Sequence, residues 1–274
     1  MKKAAVLGFP VRHSLSPRLH NYWIRHHSID ASYEAVECPP EQLADTLKRL
    51  QEEGYVGCNL TVPHKEIVLP LLQTKDALVT KVGAANTLVF EQNGKAISGR
   101  NTDVYGFMQN LRVHAPALRY KGLKVLLLGA GGAARAAIAG LLDEGVETIG
   151  VLNRTPQKID VLQRDFGAPI RPVTHSTLSE FLGGAGLVVN ATSLGMQGQP
   201  PLEFSLEGIR PGIVVTDMVY APLKTPLLTQ AEEKGCLTVD GLGMLLYQAV
   251  PAFEAWFGIR PEVTEELRKH MLAS

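Results

Sequence analysis

The stretch KVLLLGAGGAARAAIAGLLDEGVETIGVLNRT, from Lys124 to Thr155, constrains this chain more than any other. An all-apolar strand meets a run of glycines, an alanine-rich helix follows, and a second apolar strand closes the unit. That context gives the pattern GxGxxA, formed by Gly129, Gly131 and Ala134, its weight as a dinucleotide fingerprint. Gly129 permits the tight turn, Gly131 lets backbone N–H groups approach a pyrophosphate, and Ala134 keeps helix and strand close. The loop Gly129, Ala130, Gly131, Gly132 and Ala133 opens the helix, whose free N–H groups and dipole favour a phosphate. The plain alternative is a glycine-rich turn with no ligand.

The second strand bears on the nucleotide. An NAD site offers Asp or Glu here to bond the ribose 2′-OH. This chain offers Asn153, Arg154 and Thr155, with Lys158 one helical turn on. A guanidinium and an ammonium suit a 2′-phosphate through charge-assisted hydrogen bonds, which points to NADP. A surface arginine is the alternative for Arg154 alone. S-adenosylmethionine enzymes also use glycine turns, but with an acidic residue at this position.

Strands and helices alternate along the whole chain, which predicts an α/β protein with parallel sheets. Residues 4–9 read as a buried strand. Ser16 and Pro17 read as the N-cap and first position of a helix. Residues 32–38 alternate like a strand, 40–54 form an amphipathic helix closed by Gly54, and 56–62 form a strand before a helix from His64. A hairpin is expected about Asn93-Gly94. Helices follow Gly243, with Trp23, Trp256 and the FEAWF stripe as core. Domain boundaries are placed at 103/104 and 240/241, giving 1–103, 104–240 and 241–274, the last segment returning to the first domain.

With 274 residues the chain is long enough for two domains. Its 27 Lys+Arg balance its 27 Asp+Glu, so no charge excess argues for nucleic acid. Apolar runs are too short for a membrane span, and the N-terminus lacks a signal-peptide pattern. Cys38, Cys58 and Cys236 are far apart and form no CxxC, which fits a reduced, cytoplasmic chain. No HExxH or Cys/His cluster is present, so no metal site is expected.

A lysine in CNLTVPHKE, residues 58–66, raises the catalytic question. Lys65 follows an apolar strand and a proline, beside Asn59, Thr61 and His64. A solvated lysine at a helix start is the ordinary reading of that position.

The whole set of motifs resembles shikimate dehydrogenase, nearly end to end and in order: HSLSPRLHN (13–21), NLTVPHK (59–65), GAANT (83–87), GRNTDVYGF (99–107), GAGGAARA (129–136), NRT (153–155), NATSLGM (190–196), DMVYAPLKTPLL (217–228) and DGLGMLLYQA (240–249). It is closer to the NADP-dependent biosynthetic branch than to the quinate/shikimate branch, which commonly carries an acidic residue in place of Arg154. Leu60 and Ala85 replace commoner valines.

The resemblance implies an N-terminal α/β substrate domain plus a Rossmann-like NADP-binding domain, with a cleft between them. The implied activity is reversible reduction of 3-dehydroshikimate to shikimate by NADPH, in aromatic amino acid (chorismate) biosynthesis. Lys65 and Asp103 become the catalytic pair, with Lys65 either the acid/base or an electrostatic stabiliser. Asp103 could equally cap the helix that follows it. Ser14 and Ser16 would hold the substrate carboxylate. Thr61, Asn86, Asn101 and Asp103 would contact ring hydroxyls, with Tyr220 and Gln248 closing from the far side. Thr192, Ser193, Met196, Val219 and Gly241 would line the nicotinamide end. Simpler readings remain for several: Ser14 and Ser16 as turn and cap, Asn86 and Asn101 as turn formers, Gln248 as an exposed helix residue, Val219 and Gly241 as packing. The partner is a small-molecule substrate, and the protein a monomer or homodimer. Two rivals are a quinate/shikimate dehydrogenase accepting NAD and a catalytically silent NADP-binding protein.

Overall fold

The computed structural model describes residues 1–91 and 94–273. The chain divides into two units, Met1–Gly106 with the stretch from Leu245 onward, and Phe107–Met244. Both crossings fall inside helices rather than loops, one in Asp103–His114 and one in Leu242–Phe257.

The first unit contains strands β1 (Lys2–Gly8), β2 (Ala31–Glu37), β3 (Tyr55–Leu60), β4 (Thr74–Lys75), β5 (Thr87–Glu91) and β6 (Ala96–Arg100). Its helices are α1 (Ser16–His26), α2 (Leu43–Glu52), α3 (His64–Ile67), α4 (Ala77–Val82) and the start of α5 (Asp103–His114). The strand order is β2-β1-β3-β5-β6-β4. The first three strands are parallel, but β5 runs antiparallel to both β3 and β6, so this sheet is mixed. The hairpin between β5 and β6 explains the departure from an all-parallel sheet; Asn93 of its expected turn lies outside the described residues. Along β1, Ala5 and Leu7 pack with Cys58 and Leu60 of β3 and with Leu43, Leu47 and Leu50 of α2, one face of the alternating pleat.

The second unit holds β7 (Lys124–Leu128), α6 (Gly132–Asp143), β8 (Thr148–Leu152), α7 (Pro156–Phe166), β9 (Ile170–Pro172), α8 (Leu178–Gly184), β10 (Leu187–Asn190), β11 (Val214–Asp217), α9 (Pro226–Glu233) and β12 (Leu237–Val239). All six strands are parallel, in the order β12-β11-β10-β7-β8-β9. Val125 and Leu127 of β7 join one core with Ile138 of α6, and Leu126 and Leu128 join another with Leu182 of α8. Both faces of the sheet are therefore covered, which is why its strands read as unbroken apolar runs. Helices α10 (Leu242–Phe257, through Pro251) and α11 (Glu265–Leu272) complete the chain. Among the described residues no helix is long and apolar enough to cross a membrane.

Two expected caps differ. Ser16 is the first residue of α1, and the Ser14 hydroxyl oxygen accepts the Ser16 N–H at 3.3 Å, so Ser14 occupies the capping role. Asp103 does not cap α5: Asn101 Oδ1 accepts the Val104 N–H at 3.3 Å, and the Asp103 carboxylate is used elsewhere. The sequence reading passed over α4, although Asp76 caps it through the Val79 N–H at 2.6 Å and Gly83 closes it.

Trp23 and Trp256 are core residues, as expected, 1% and 4% exposed. They surround His20, whose ring stacks on Tyr33 at 4.1 Å between centroids. Among the described residues, neither His20 ring nitrogen has a hydrogen-bond partner. Burial pushes the His20 pKa down from 6.5 to about 3, and the adjacent Asn59 side chain offsets this only in part. Between those values the unfolded chain binds a proton that the folded chain refuses, so stability falls as pH drops below 6.5. The contribution is fully present above that pH and shrinks by about 1.4 kcal/mol per pH unit beneath it. His20→Phe, followed by urea unfolding at about pH 7.5 and 5.5, should therefore lose about 1.4 kcal/mol less on acidification than wild type does. Equal losses would mean that His20 is protonated in the fold.

Candidate active site

Strand direction gathers the first unit's candidates at one sheet edge. Ser14 and Ser16 follow the end of β1, and Thr61 and Lys65 follow the end of its parallel neighbour β3. Because β5 is antiparallel to β3, its start brings Asn86 to the same edge, and the end of β6 brings Asn101 and Asp103 there. Gln248 reaches this group from α10.

Lys65 Nζ donates to Asp103 Oδ2 at 2.6 Å, with the two side chains 17% and 5% exposed. A solvated helix-start lysine does not fit that burial. Asn86 Nδ2 donates to Asp103 Oδ1 at 2.9 Å, so the carboxylate is held on both oxygens. The same amide lies 2.9 Å from Thr102 Oγ1 and 3.3 Å from Gln248 Oε1. Asn86 Oδ1 accepts the Thr102 N–H at 2.7 Å, which fixes which way the amide points. Asn86 is thus more than a turn former, and Gln248 is 8% exposed rather than on the surface. Asn101 is spent on structure: its Nδ2 donates to the Ala84 carbonyl at 2.8 Å.

Behind this group, Asn59 Nδ2 donates to the Asn86 carbonyl at 3.1 Å and to Thr87 Oγ1 at 3.0 Å, while its Oδ1 accepts the Tyr33 hydroxyl at 2.6 Å. Thr102, Thr87 and Tyr33 were not singled out in the sequence, though Thr102 lies within NTD. His64, beside Lys65, bonds through Nε2 to the Cys38 carbonyl at 2.8 Å; burial lowers its pKa, so it stays neutral. The Ser14 oxygen accepts from Ser16, and among the described residues no group takes its O–H, which leaves that proton to be donated.

In the second unit, five parallel strands end at one edge, and each is followed by candidates. Gly129 to Ala133 follow β7, Asn153 to Lys158 follow β8, Thr192, Ser193 and Met196 follow β10, Val219 and Tyr220 follow β11, and Gly241 follows β12. The order reverses at β7, which continues to β8 on one side and neighbours β10 on the other. This is the switch point where open α/β sheets hold dinucleotides. Gly129 has φ +105°, and a Cβ there would meet Thr192 Cγ2 at 3.0 Å and the Ala191 carbonyl oxygen at 3.1 Å. Gly131 is the N-cap of α6 and has open space where its Cβ would lie; no side chain caps the helix. The free N–H groups of that 12-residue helix suit a diphosphate.

At the end of β8 the Asn153 amide donates to the Thr155 carbonyl at 2.9 Å and folds the turn. Arg154, Thr155 and Lys158 are exposed there, and among the described residues neither cation has a carboxylate partner. These residues fit a nucleotide bearing a 2′-phosphate. Tyr220, expected against the substrate, belongs to this second unit. Among the described residues no group of three His, Cys, Asp or Glu side chains is placed to hold a metal.

Comparison with known proteins agrees with this arrangement. Residues 6–88 match the family model described as shikimate dehydrogenase substrate binding domain, 113–196 that of shikimate / quinate 5-dehydrogenase, and 241–272 that of the shikimate 5'-dehydrogenase C-terminal domain. A shikimate dehydrogenase (NADP(+)) from Paracoccus denitrificans is 47% identical over 98% of this chain and 95% of its own. The shikimate 5-dehydrogenase of Thermus thermophilus, solved with NADP(H) and shikimate, superposes with a TM-score of 0.83 at 36% identity, covering 99% of this chain and 98% of that one. A quinate dehydrogenase from Corynebacterium glutamicum, solved with NAD, gives 0.87 at 29% identity, with 99% and 98% covered.

Proposed function

The chain belongs to the shikimate dehydrogenase family, and we propose that it catalyses the reversible reduction of 3-dehydroshikimate to shikimate with NADPH, a step of aromatic amino acid biosynthesis. The observation that carries this reading is the buried Lys65–Asp103 pair, bonded at 2.6 Å beside Asn86 and Gln248. NADPH, when bound, supplies the hydride. The residues must then stabilise the charge that develops on the ketone oxygen and deliver one proton to it.

Lys65 does both from a single atom. Its ammonium has three N–H donors, one of which is taken by Asp103, and the others are available to the substrate oxygen. In a mostly buried site such a cationic donor acts with little screening by water. Asp103 is a positioning group for the ammonium and an acceptor for a neighbouring ring hydroxyl. Asn86, oriented by Thr102, and Gln248 supply neutral amide contacts to the hydroxyls, and Thr61 and Asn101 flank them. Ser14 and Ser16 take the substrate carboxylate. On the second unit, Gly129 to Ala133 hold the diphosphate, Asn153, Arg154, Thr155 and Lys158 the 2′-phosphate end, and Thr192, Ser193, Met196, Val219 and Gly241 the nicotinamide; Tyr220 completes the substrate contacts. Residues 1–103 and 241–274 are the substrate part and 104–240 the cofactor part. The enzyme works in the cytoplasm as a monomer or homodimer.

A matrix of shikimate and quinate, each with NADP⁺ and NAD⁺, tests the reading by absorbance of the reduced cofactor. Shikimate with NADP⁺ should dominate. Equal turnover of quinate would favour the quinate-type enzyme, and no turnover in any combination would favour a silent binding protein.

Ser14→Ala should raise KM for shikimate more than KM for NADP⁺, since a hydrogen bond to a carboxylate contributes about 1.5–3 kcal/mol. The variant also loses the cap on α1, a stability effect of about 1 kcal/mol that both substrates share. The methyl ester of shikimate separates the two. If it suffers as much from the substitution as shikimate does, Ser14 does not hold the carboxylate.

A further inference from the structure

We propose that Asp217 is a positioning residue that fixes from behind the two loops assigned above to the reactive end of the cofactor; the inference rests on that assignment. β10 and β11 run parallel and in register, with Asn190 opposite Asp217 as the last residue of each. Both side chains are buried, 0% and 1% exposed. Asn190 Nδ2 donates to Asp217 Oδ1 at 2.9 Å, and the same oxygen accepts the Val219 N–H at 2.9 Å. Asp217 Oδ2 accepts the Thr225 hydroxyl at 2.7 Å. Thr225 is itself the N-cap of α9, accepting the Leu228 N–H. One carboxylate therefore grips the neighbouring strand, the first turn of the 218–225 loop and the far end of that loop.

Asn190 passes the hold to the other loop. Its Oδ1 accepts the Thr192 N–H at 3.1 Å and the Thr192 hydroxyl at 2.7 Å, and Thr192 Oγ1 accepts the Leu194 N–H at 3.1 Å. The loop after β12 is locked to the same place: a Cβ on Gly241 would meet the Met218 carbonyl oxygen at 2.5 Å and the Val219 carbonyl oxygen at 2.6 Å. Thr192, Val219 and Gly241 thus share one buried anchor. A carboxylate suits it because it accepts from several directions and brings no donor of its own. Alanine would leave the Asn190 amide, the Val219 N–H and the Thr225 hydroxyl buried without that acceptor.

Direct binding to wild type, Asp217→Ala, Asp217→Asn and Thr225→Val tests this with two probes. NADPH is followed by fluorescence titration. Adenosine 2′,5′-bisphosphate, the half of the cofactor that lacks the nicotinamide, is followed by calorimetry. Asp217→Ala should weaken NADPH binding about tenfold or more, a loss near 1.4 kcal/mol, and lower kcat. The half-cofactor should change by less than about twofold, within about 0.4 kcal/mol. Asp217→Asn and Thr225→Val each disturb one side of the carboxylate and should show the same split to a smaller degree; they carry the test if the alanine variant does not fold. Equal losses for the two probes, or no loss for either in the folded variants, would overturn the proposal and leave Asp217 as a sheet-stabilising residue. A wild type that binds neither probe would instead overturn the cofactor reading.

Discussion

Lys65→Ala is expected to lower kcat by about 10²–10³, the usual cost of removing a donor aimed at developing negative charge. KM for shikimate should move far less, because an interaction made mainly in the transition state contributes to kcat rather than to ground-state binding. The burial of the pair complicates the variant: it leaves Asp103, 5% exposed, with the Asn86 amide as its remaining side-chain donor. Removing one partner of a buried pair destabilises the fold by about 3–5 kcal/mol, so kinetics are to be measured on protein shown by its unfolding transition to be folded. Lys65→Met keeps the length of the stem and its apolar packing while deleting the ammonium. Both variants should show the same kcat loss. A folded variant turning over at close to the wild-type rate would end the catalytic role for Lys65, however well the ion pair is formed.

The architecture was legible where local chemistry and tertiary context agree. The strand, glycine turn, helix and second strand between Lys124 and Leu152 follow from apolar runs that must be covered on both faces and from a turn that needs φ > 0 at Gly129. The caps were less legible because several side chains compete for each helix start. Ser16 precedes Pro17 as an N-cap should, yet the hydroxyl that accepts a helix N–H belongs to Ser14, two residues earlier. Asp103 is an equally good cap by composition, but Asn101 takes that task and frees the carboxylate for Lys65. Sequence spacing carries no information on that choice, since Lys65 lies 38 residues away. The mixed character of the first sheet depends on a hairpin that reverses β5 against β3, a long-range pairing. Gln248 shows the same limit: its helix periodicity fits an exposed position, and only the contacts of Asn86 and Thr102 turn it into part of a buried polar group. The supporting residues Asn59, Tyr33, Asn190, Asp217 and Thr225 sit in strands or caps where an ordinary structural role explains them, so no local signal marks them.

Arg154→Ala should raise KM for NADP⁺ sharply and leave KM for NAD⁺ nearly unchanged. β8 ends at Leu152, and the following Asn153 turns the chain through its bond to the Thr155 carbonyl. No carboxylate stands where an NAD site would place one on the ribose, and Asn153 repels no phosphate. Arg154 and Lys158 are both exposed at this end of the strand, so the charge they offer is partly screened by water and salt. Arginine keeps an advantage under those conditions, because its planar fork can bond two phosphate oxygens and stack on the adenine. A charge-assisted contact of this kind contributes about 1.5–3 kcal/mol. At about 1.4 kcal/mol per factor of ten, that corresponds to roughly tenfold to a few hundredfold preference for NADP⁺, most of it lost in the variant. Raising the salt concentration should shrink the preference in wild type and have little effect on Arg154→Ala. The measurement is kcat/KM for both cofactors at saturating shikimate. Equal losses for NADP⁺ and NAD⁺ would make Arg154 a support for the turn instead of a reader of the phosphate. A wild type that prefers NAD⁺ would undo the cofactor assignment and move the enzyme toward the quinate-type branch.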